Sequence, residues 1–228
     1  MQCRLCESAL KEPYFIDEQR SWVYWSCGAC DFTFRDPQSY LSMMQERARY
    51  QTHNNTIESP GYVKFLTPAV EALRTYGVEG QAGLDFGCGP GPTLSEMVRR
   101  EGFACEEYDP LFFNNSSLLQ VQYDFVTCTE VVEHFYNPRK DLQVINGLLK
   151  AGGLLVVMTD HRREDREFSQ WSYRTDSTHV GFFNRKSWQW VSQEMGWEIL
   201  EYQPRLVVFR KRAPVKGQEA PLQNFAHL

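Results

Sequence analysis

Leu84-Asp85-Phe86-Gly87-Cys88-Gly89-Pro90-Gly91-Pro92 is the stretch on which the reading of this 228-residue chain turns. It opens as the apolar end of a strand, passes through a glycine turn, and enters a helix. Pro92 suits that helix's first turn, where a backbone N–H has no intrahelical partner to lose. Glycines let the main chain turn tightly and let a ligand come close to it. Gly87-x-Gly89 alone would be weak evidence. The acid two residues before it, the strand ahead and the helix behind make it much stronger.

Outward from the turn, strands and helices alternate. Strands are expected at 83–86, 103–108 and 123–128, and a continuous apolar run at 154–159 has the character of a central parallel strand. The helix after Pro92 stops at Gly102. Asn137-Pro138 opens another, which stops near Gly152-Gly153, and Asn184 or Ser187 opens a third, closed by Gly196. Residues 197–202 and 206–209 read as a terminal antiparallel pair about Pro204. Ahead of the turn, residues 37–53 and 60–76 carry helical patterns, the first with Tyr40, Leu41, Met44, Ala48 and Tyr50 as candidate packing positions. Strands alternating with helices imply right-handed crossovers and a doubly wound sheet. Ligands in such sheets bind beyond the carboxyl ends of the strands, where strand order reverses. The glycine turn, Asp109, the segment after Cys128 and the segment after Thr159 all fall at that edge.

A net charge of −5 argues against general electrostatic binding of nucleic acid or of an anionic membrane. No apolar run is long enough to span a bilayer. Met1 to Cys6 lacks the apolar core of a signal peptide, so a reducing cytoplasm is the expected compartment. Of the seven cysteines, Cys88, Cys105 and Cys128 are scattered through the expected core. The other four form Cys3-x-x-Cys6 and Cys27-x-x-Cys30. This is a four-thiolate zinc pattern with a hairpin-sized spacer, each pair wrapping one side of a tetrahedral ion. A structural Zn2+ would largely supply the folding energy of so small a unit. The rival is redox chemistry, which one pair could perform alone. The chain therefore divides into a zinc-ribbon-like unit at 1–36, a helical cap at 37–80, a core at 81–212 and a loose tail at 213–228.

Four motifs in order, Leu84 to Gly91, Tyr108-Asp109-Pro110, Tyr123 to His134 and Leu148 to Val157, resemble the class I S-adenosylmethionine-dependent methyltransferases over residues 81–211. The resemblance implies a Rossmann-like sheet ending in an antiparallel strand, and methyl transfer from S-adenosylmethionine. Asp85 would orient the methionine part of the cofactor through its ammonium group. Gly87, Cys88, Gly89 and Gly91 would line the floor beneath it, and Thr129 and Glu130 would complete the set. Asp109, followed by Pro110, would accept hydrogen bonds from the ribose hydroxyls, with Glu106 and Glu107 as rivals by spacing. One departure stands out: the segment 111–122 is short and has room for one small element near 118–121. Apolar contact from Leu111 and Phe112 is therefore expected at the adenine.

For the reaction itself, Glu130, Glu133 and His134 follow a strand end and can reach the cleft. His134 suits a general base by its reference pKa of about 6.5. In the family resembled, the same stretch often only shapes the cofactor pocket. The polar-aromatic run Trp171 to Phe183 carries Tyr173, Arg174, Asp176 and His179. It reads as a substrate wall, with His179 as the runner-up base and Arg174 suited to an anionic acceptor group; a surface loop is the alternative. His53, Asn54 and Tyr62 could cover the cleft as a lid or serve as ordinary helix-end caps. The layout resembles both sugar and ribosomal RNA methyltransferases that carry zinc units. Three functions stay open: methyl transfer to oxygen, nitrogen or carbon of a small molecule; transfer to RNA or protein with the ribbon as docking module; and non-catalytic cofactor binding by a partner protein.

Overall fold

The structure is a computed structural model that describes residues 1–51, 56–77 and 80–213. His53, Asn54 and residues 214–228 of the expected tail lie outside them. Six strands form the central sheet: β4 (Ala82–Phe86), β5 (Ala104–Tyr108), β6 (Tyr123–Thr129), β7 (Leu149–Met158), β9 (Trp197–Gln203) and β10 (Leu206–Lys211), in the order β5-β4-β6-β7-β10-β9. The pairs β4–β5, β4–β6 and β6–β7 are parallel, while β10 runs antiparallel to both neighbours. Strand order reverses at β4, so the glycine turn sits at the switch point. A short 3-10 turn, Ser116–Gln120, is the only regular element between β5 and β6, which is where the shortening was expected.

β7 shows why the sheet is central. Leu154, Val156 and Met158 pack into one core; Leu155 and Val157 pack into another. Alternate residues of a strand point to opposite faces, so a strand covered on both sides reads as continuous apolar sequence. The first core is shared with α2 (Pro60–Tyr76) and α3 (Thr93–Arg100), the second with α4 (Pro138–Leu148) and α5 (Arg185–Met195). β7 begins earlier than expected, because α4 stops at Leu148 and Leu149 already pairs with Tyr123. α3 starts one residue later, with Pro92 as its cap.

A second, four-stranded sheet has the order β1-β2-β3-β8. β1 (Phe15–Asp17), β2 (Trp22–Ser26) and β3 (Thr33–Arg35) come from the cysteine-bearing segment. β8 (Gly181–Phe182) comes from the run after β7 and pairs with β3 through Thr33↔Phe182 and Phe34↔Gly181. Cys3, Leu5, Phe32 and Phe34 are buried in the same core as α4 and α5. The single helix expected over 37–53 is instead a 3-10 turn at Pro37–Ser39 and α1 (Met43–Tyr50). Ser42 and Gln45 form a reciprocal capping box that sets the start of α1. That helix buries no residue, and Met44 stands 82% exposed rather than packed.

Candidate active site

Asp85, next to last in β4, is almost completely buried, and its carboxylate accepts the Thr127 hydroxyl at 2.8 Å. Burial pushes its carboxyl up to about 7. A buried carboxylate with so little compensation favours a cationic partner. Beyond Asp85 the N–H groups of Gly87 and Cys88 donate to the Tyr108 carbonyl at 2.7 and 3.2 Å, which folds the turn over the end of β5. Gly87 has φ 80°, and an added Cβ would stand 2.5 Å from the Val131 side chain. Gly89 has φ 66°, and an added Cβ would meet nothing within 4 Å. The first glycine is thus required by backbone and neighbour together, and the second borders open space. The Gly91 carbonyl accepts the Thr93 N–H at 2.7 Å as α3 begins.

Asp109 ties this turn to the next loop. One carboxylate oxygen accepts the Gly89 N–H at 3.0 Å; the other accepts the N–H groups of Leu111 and Phe112 at 2.8 and 3.1 Å. Pro110 is exposed, Leu111 and Phe112 are half-buried, and the Arg47 guanidinium lies 5.9 Å from the Phe112 ring. Glu107 is engaged by Ser95 at 2.6 Å and by Arg99, on α3.

At the end of β6, Thr129 is half-buried and Glu130 takes φ 55°, a left-handed conformation uncommon outside glycine. The turn brings Glu130, Glu133 and His134 to one place. Glu130 accepts from the Tyr173 hydroxyl at 3.1 Å and from Arg205 at 3.3 Å. Glu133, fully buried, accepts from the same hydroxyl. Burial pushes Glu130 up to about 8, with the neighbouring Glu133 adding to it, and pushes Glu133 up to about 7. One phenol has one proton to donate, so the two carboxyls compete for it.

His134 lies 4.9 Å, ring to ring, from His179, and the Tyr50 ring stands edge-on to it at 5.4 Å. Its Nδ1 is 2.9 Å from the Thr178 carbonyl; the His179 Nδ1 is 2.7 Å from the Tyr173 carbonyl. A carbonyl only accepts, so each Nδ1 carries the proton and each Nε2 carries the lone pair. Burial lowers His134, and it lowers His179 to about 3 with help from His134. Both imidazoles are neutral at pH 7. Tyr62, in the first turn of α2, sits near Asp85, Glu130 and Cys88, whose charges add to the burial that raises its phenol.

Two members of the 171–183 run face different partners. Asp176 accepts from Thr178 and, at 2.8 Å, from Arg49 of α1; burial works against its ionisation, but these hydrogen bonds hold it well below the usual carboxylate range. Arg174 is buried against the N-terminal sheet. Its guanidinium reaches Asp17 at 2.7 Å and the carbonyls of Phe168 and Ser169 at 2.8 and 2.6 Å, which joins the ribbon to the loop. Asp17, Tyr50 and Arg205 have no motif around them. Each reaches its place through the tertiary fold.

The four N-terminal cysteines are free thiols with one sulfur from each lying within 4.8 Å of the rest. Cys3 and Cys30 are 3.6 Å apart, Cys6 and Cys27 3.4 Å. A tetrahedral ion with Zn–S bonds of about 2.3 Å puts its sulfurs about 3.8 Å apart, so the set fits a metal ion. The two pairs sit in matching turns. Cys3 N–H donates to Ser8 at 2.9 Å and Cys27 N–H to Phe32 at 3.0 Å; Glu7 and Asp31 donate back to Cys3 and Cys27 at 3.0 and 2.7 Å. Glu7 and Asp31 also share positive φ, 65° and 58°.

A family model described as a methyltransferase domain matches residues 59–202. Among solved structures, 1,6-didemethyltoxoflavin-N1-methyltransferase of Burkholderia thailandensis, with 1,6-didemethyltoxoflavin and S-adenosylhomocysteine bound, is 12% identical with a TM-score of 0.53, over 89% of this chain and 100% of that one. The mitomycin 7-O-methyltransferase is 15% identical with a TM-score of 0.51, over 67% of this chain and 55% of that one. At such identities these likenesses speak for the fold. No curated protein matches the chain. With a six-stranded switch-point sheet, a glycine turn at its reversal and a family match across most of its length, the chain belongs to the methyltransferase domain family.

Proposed function

We propose that the protein is an S-adenosylmethionine-dependent methyltransferase acting on a small-molecule oxygen, nitrogen or carbon nucleophile. The carrying observation is the placement of buried, under-compensated Asp85 and the open space beside Gly89 on the same sheet edge as Glu130, Tyr173, His134 and His179. Bound cofactor supplies an electrophilic sulfonium methyl group. Asp85 takes its ammonium end, Gly87, Cys88, Gly89, Gly91, Thr129 and Glu130 line its bed, and Asp109 with Pro110 takes the ribose. Leu111 and Phe112 cover the adenine. Neutral His134 and His179, each with Nδ1 protonated, have the form a proton acceptor needs; Glu130 holds Tyr173 beside them. Tyr62 and Asp176 border the acceptor, and Arg174 supports that wall from behind.

Cys3, Cys6, Cys27 and Cys30 hold a structural Zn2+ in this reading. A closed four-thiolate site leaves no open position for catalysis. The ribbon's inner side is occupied by β8, Arg174 and the 171–183 run, which favours a supporting role over docking of RNA or protein. No described helix is long and apolar enough to cross a membrane. Calorimetric titration with S-adenosylmethionine tests the core of the proposal: binding in the micromolar range is expected, and no heat at millimolar cofactor refutes it. A metabolite extract incubated with methyl-labelled cofactor should then reveal the acceptor.

A further inference from the structure

We infer that Glu133, His134 and His179 form a second metal site, for a divalent first-row transition ion, separate from the cysteine quartet. One ligand atom from each of the three lies within 4.8 Å of the others. His134 Nε2 is 4.0 Å from Glu133 Oε1. Two imidazoles and one carboxylate are a donor set that zinc, iron(II) and their neighbours take, and one that leaves coordination positions open. Bonds of about 2.1 Å would place tetrahedral ligands about 3.4 Å apart, so closure asks for side-chain movements of roughly an ångström.

Three further observations point to an ion rather than to a chance cluster. Both histidines have the tautomer a metal needs, since the Thr178 and Tyr173 carbonyls hold the Nδ1 protons and leave Nε2 lone pairs. Backbone carbonyls in that role are the usual outer support of metal-bound histidines. Glu133 is fully buried: Oε1, the oxygen nearer His134, has the shared Tyr173 hydroxyl as its hydrogen-bond donor, and Oε2 has no hydrogen-bond partner. A buried carboxylate oxygen left in that state is costly unless a cation or proton meets it. The neighbouring cation, Arg205, is bonded to Glu130 instead. The cluster lies at the edge where the acceptor is placed above, and in that respect the inference rests on the proposed function. An acceptor with an oxygen or nitrogen donor could complete the coordination; with the ion bound, the two Nε2 lone pairs are ligands rather than proton acceptors, and the ion takes over the task of lowering the acceptor's pKa.

The test uses the full chain loaded with zinc at the cysteines, to which Co2+ is then added. One retained equivalent of Co2+ is expected, with weak visible bands and no thiolate-to-cobalt charge transfer. X-ray absorption of the wild-type complex should show a nitrogen and oxygen shell with imidazole scattering. His134→Ala, His179→Ala and Glu133→Gln should each weaken Co2+ retention at least tenfold. No retained Co2+, or sulfur in its shell, overturns the inference. So does undiminished Co2+ binding in variants that keep the wild-type near-ultraviolet spectrum. If the variants fail to fold, the wild-type shell alone still decides. Failure here leaves cofactor binding untouched, so it is distinguishable from failure of the methyltransferase reading.

Discussion

The cysteine quartet and the Glu133–His134–His179 cluster are both built from potential ligands held close together, yet they arise in opposite ways. Each cysteine pair lies in a turn closed by its own neighbours: Cys3 with Glu7 and Ser8, Cys27 with Asp31 and Phe32. The same local pattern is simply used twice. In the cluster, Glu133 and His134 are adjacent, but His179 arrives from the far side of β7. It is held by the Tyr173 carbonyl, by the pairing of β8 with β3, and by Arg35, which donates to the Ser177 carbonyl at 2.7 Å. The ribbon that reads as an appendage is therefore the frame of the loop carrying His179.

The strongest challenge to that comparison is Cys27→Ser. Structural zinc contributes apparent free energies on the order of 10 kcal/mol in small units. The variant should lose the ion by elemental analysis, and with it the ordered 171–183 run and all methyl transfer. A zinc-free variant with wild-type melting behaviour would show that the frame does not depend on the quartet.

Next comes the link between ribbon and loop. Arg174→Met takes from Asp17 its buried partner and leaves it only Arg20, more exposed, at 3.1 Å. Removing one partner of a buried pair costs about 3–5 kcal/mol, and the remaining Arg20 pair holds the loss to the lower end of that range. Urea unfolding should show that loss, and Asp17→Leu combined with Arg174→Met should recover part of it. A single variant as stable as wild type would mean that β8 pairing holds the loop without this pair.

A similar effect is expected at His161, which stands outside both clusters. It is buried with Nδ1 donating to the Gln203 carbonyl at 2.8 Å and Nε2 accepting the Trp188 N–H at 3.0 Å, and burial lowers it to about 4. The unfolded chain binds this proton more readily, so stability falls as pH drops from about 6.5 to 4. The difference amounts to roughly 3 kcal/mol at about 1.4 kcal/mol per pH unit. Chemical denaturation across that window should show the loss, and His161→Gln should remove His161's share of it while the share of buried His179 stays.

The smallest effect is at the locally encoded turn. Asp85→Asn removes the charge for the cofactor ammonium and should weaken S-adenosylmethionine binding about 10–100-fold, the range of a charge-assisted hydrogen bond. In the cofactor-free protein the sign runs the other way from most carboxylates. Asp85's folded value, about 7, lies above its ordinary 3.8, so its contribution to stability is full below that ordinary value and is lost as pH rises towards and through 7. Melting curves of the Asn variant should lack that slope; an identical slope would place the burial cost elsewhere.

Local sequence determined a great deal. Continuous apolarity marked β7, Asn184 and Gly196 marked the ends of α5, and the glycine turn with its flanking strand and helix marked the switch point. The cysteine spacing encoded both turns that bring the four sulfurs together. These features are legible because backbone preference, hydrogen bonding and burial act there within a few residues. Tertiary structure alone decided the rest. β8 is two residues long and has no periodicity to read; it is a strand only because β3 lies beside it. Arg174 suits an anionic substrate by type, but Asp17, 157 positions away, holds it in the core. Glu130 and Glu133 meet at Tyr173, and two histidines 45 positions apart lie ring to ring, because crossovers bring strand ends and loops to one edge. No window of sequence contains those partners, so their chemistry emerges only when the sheet has formed.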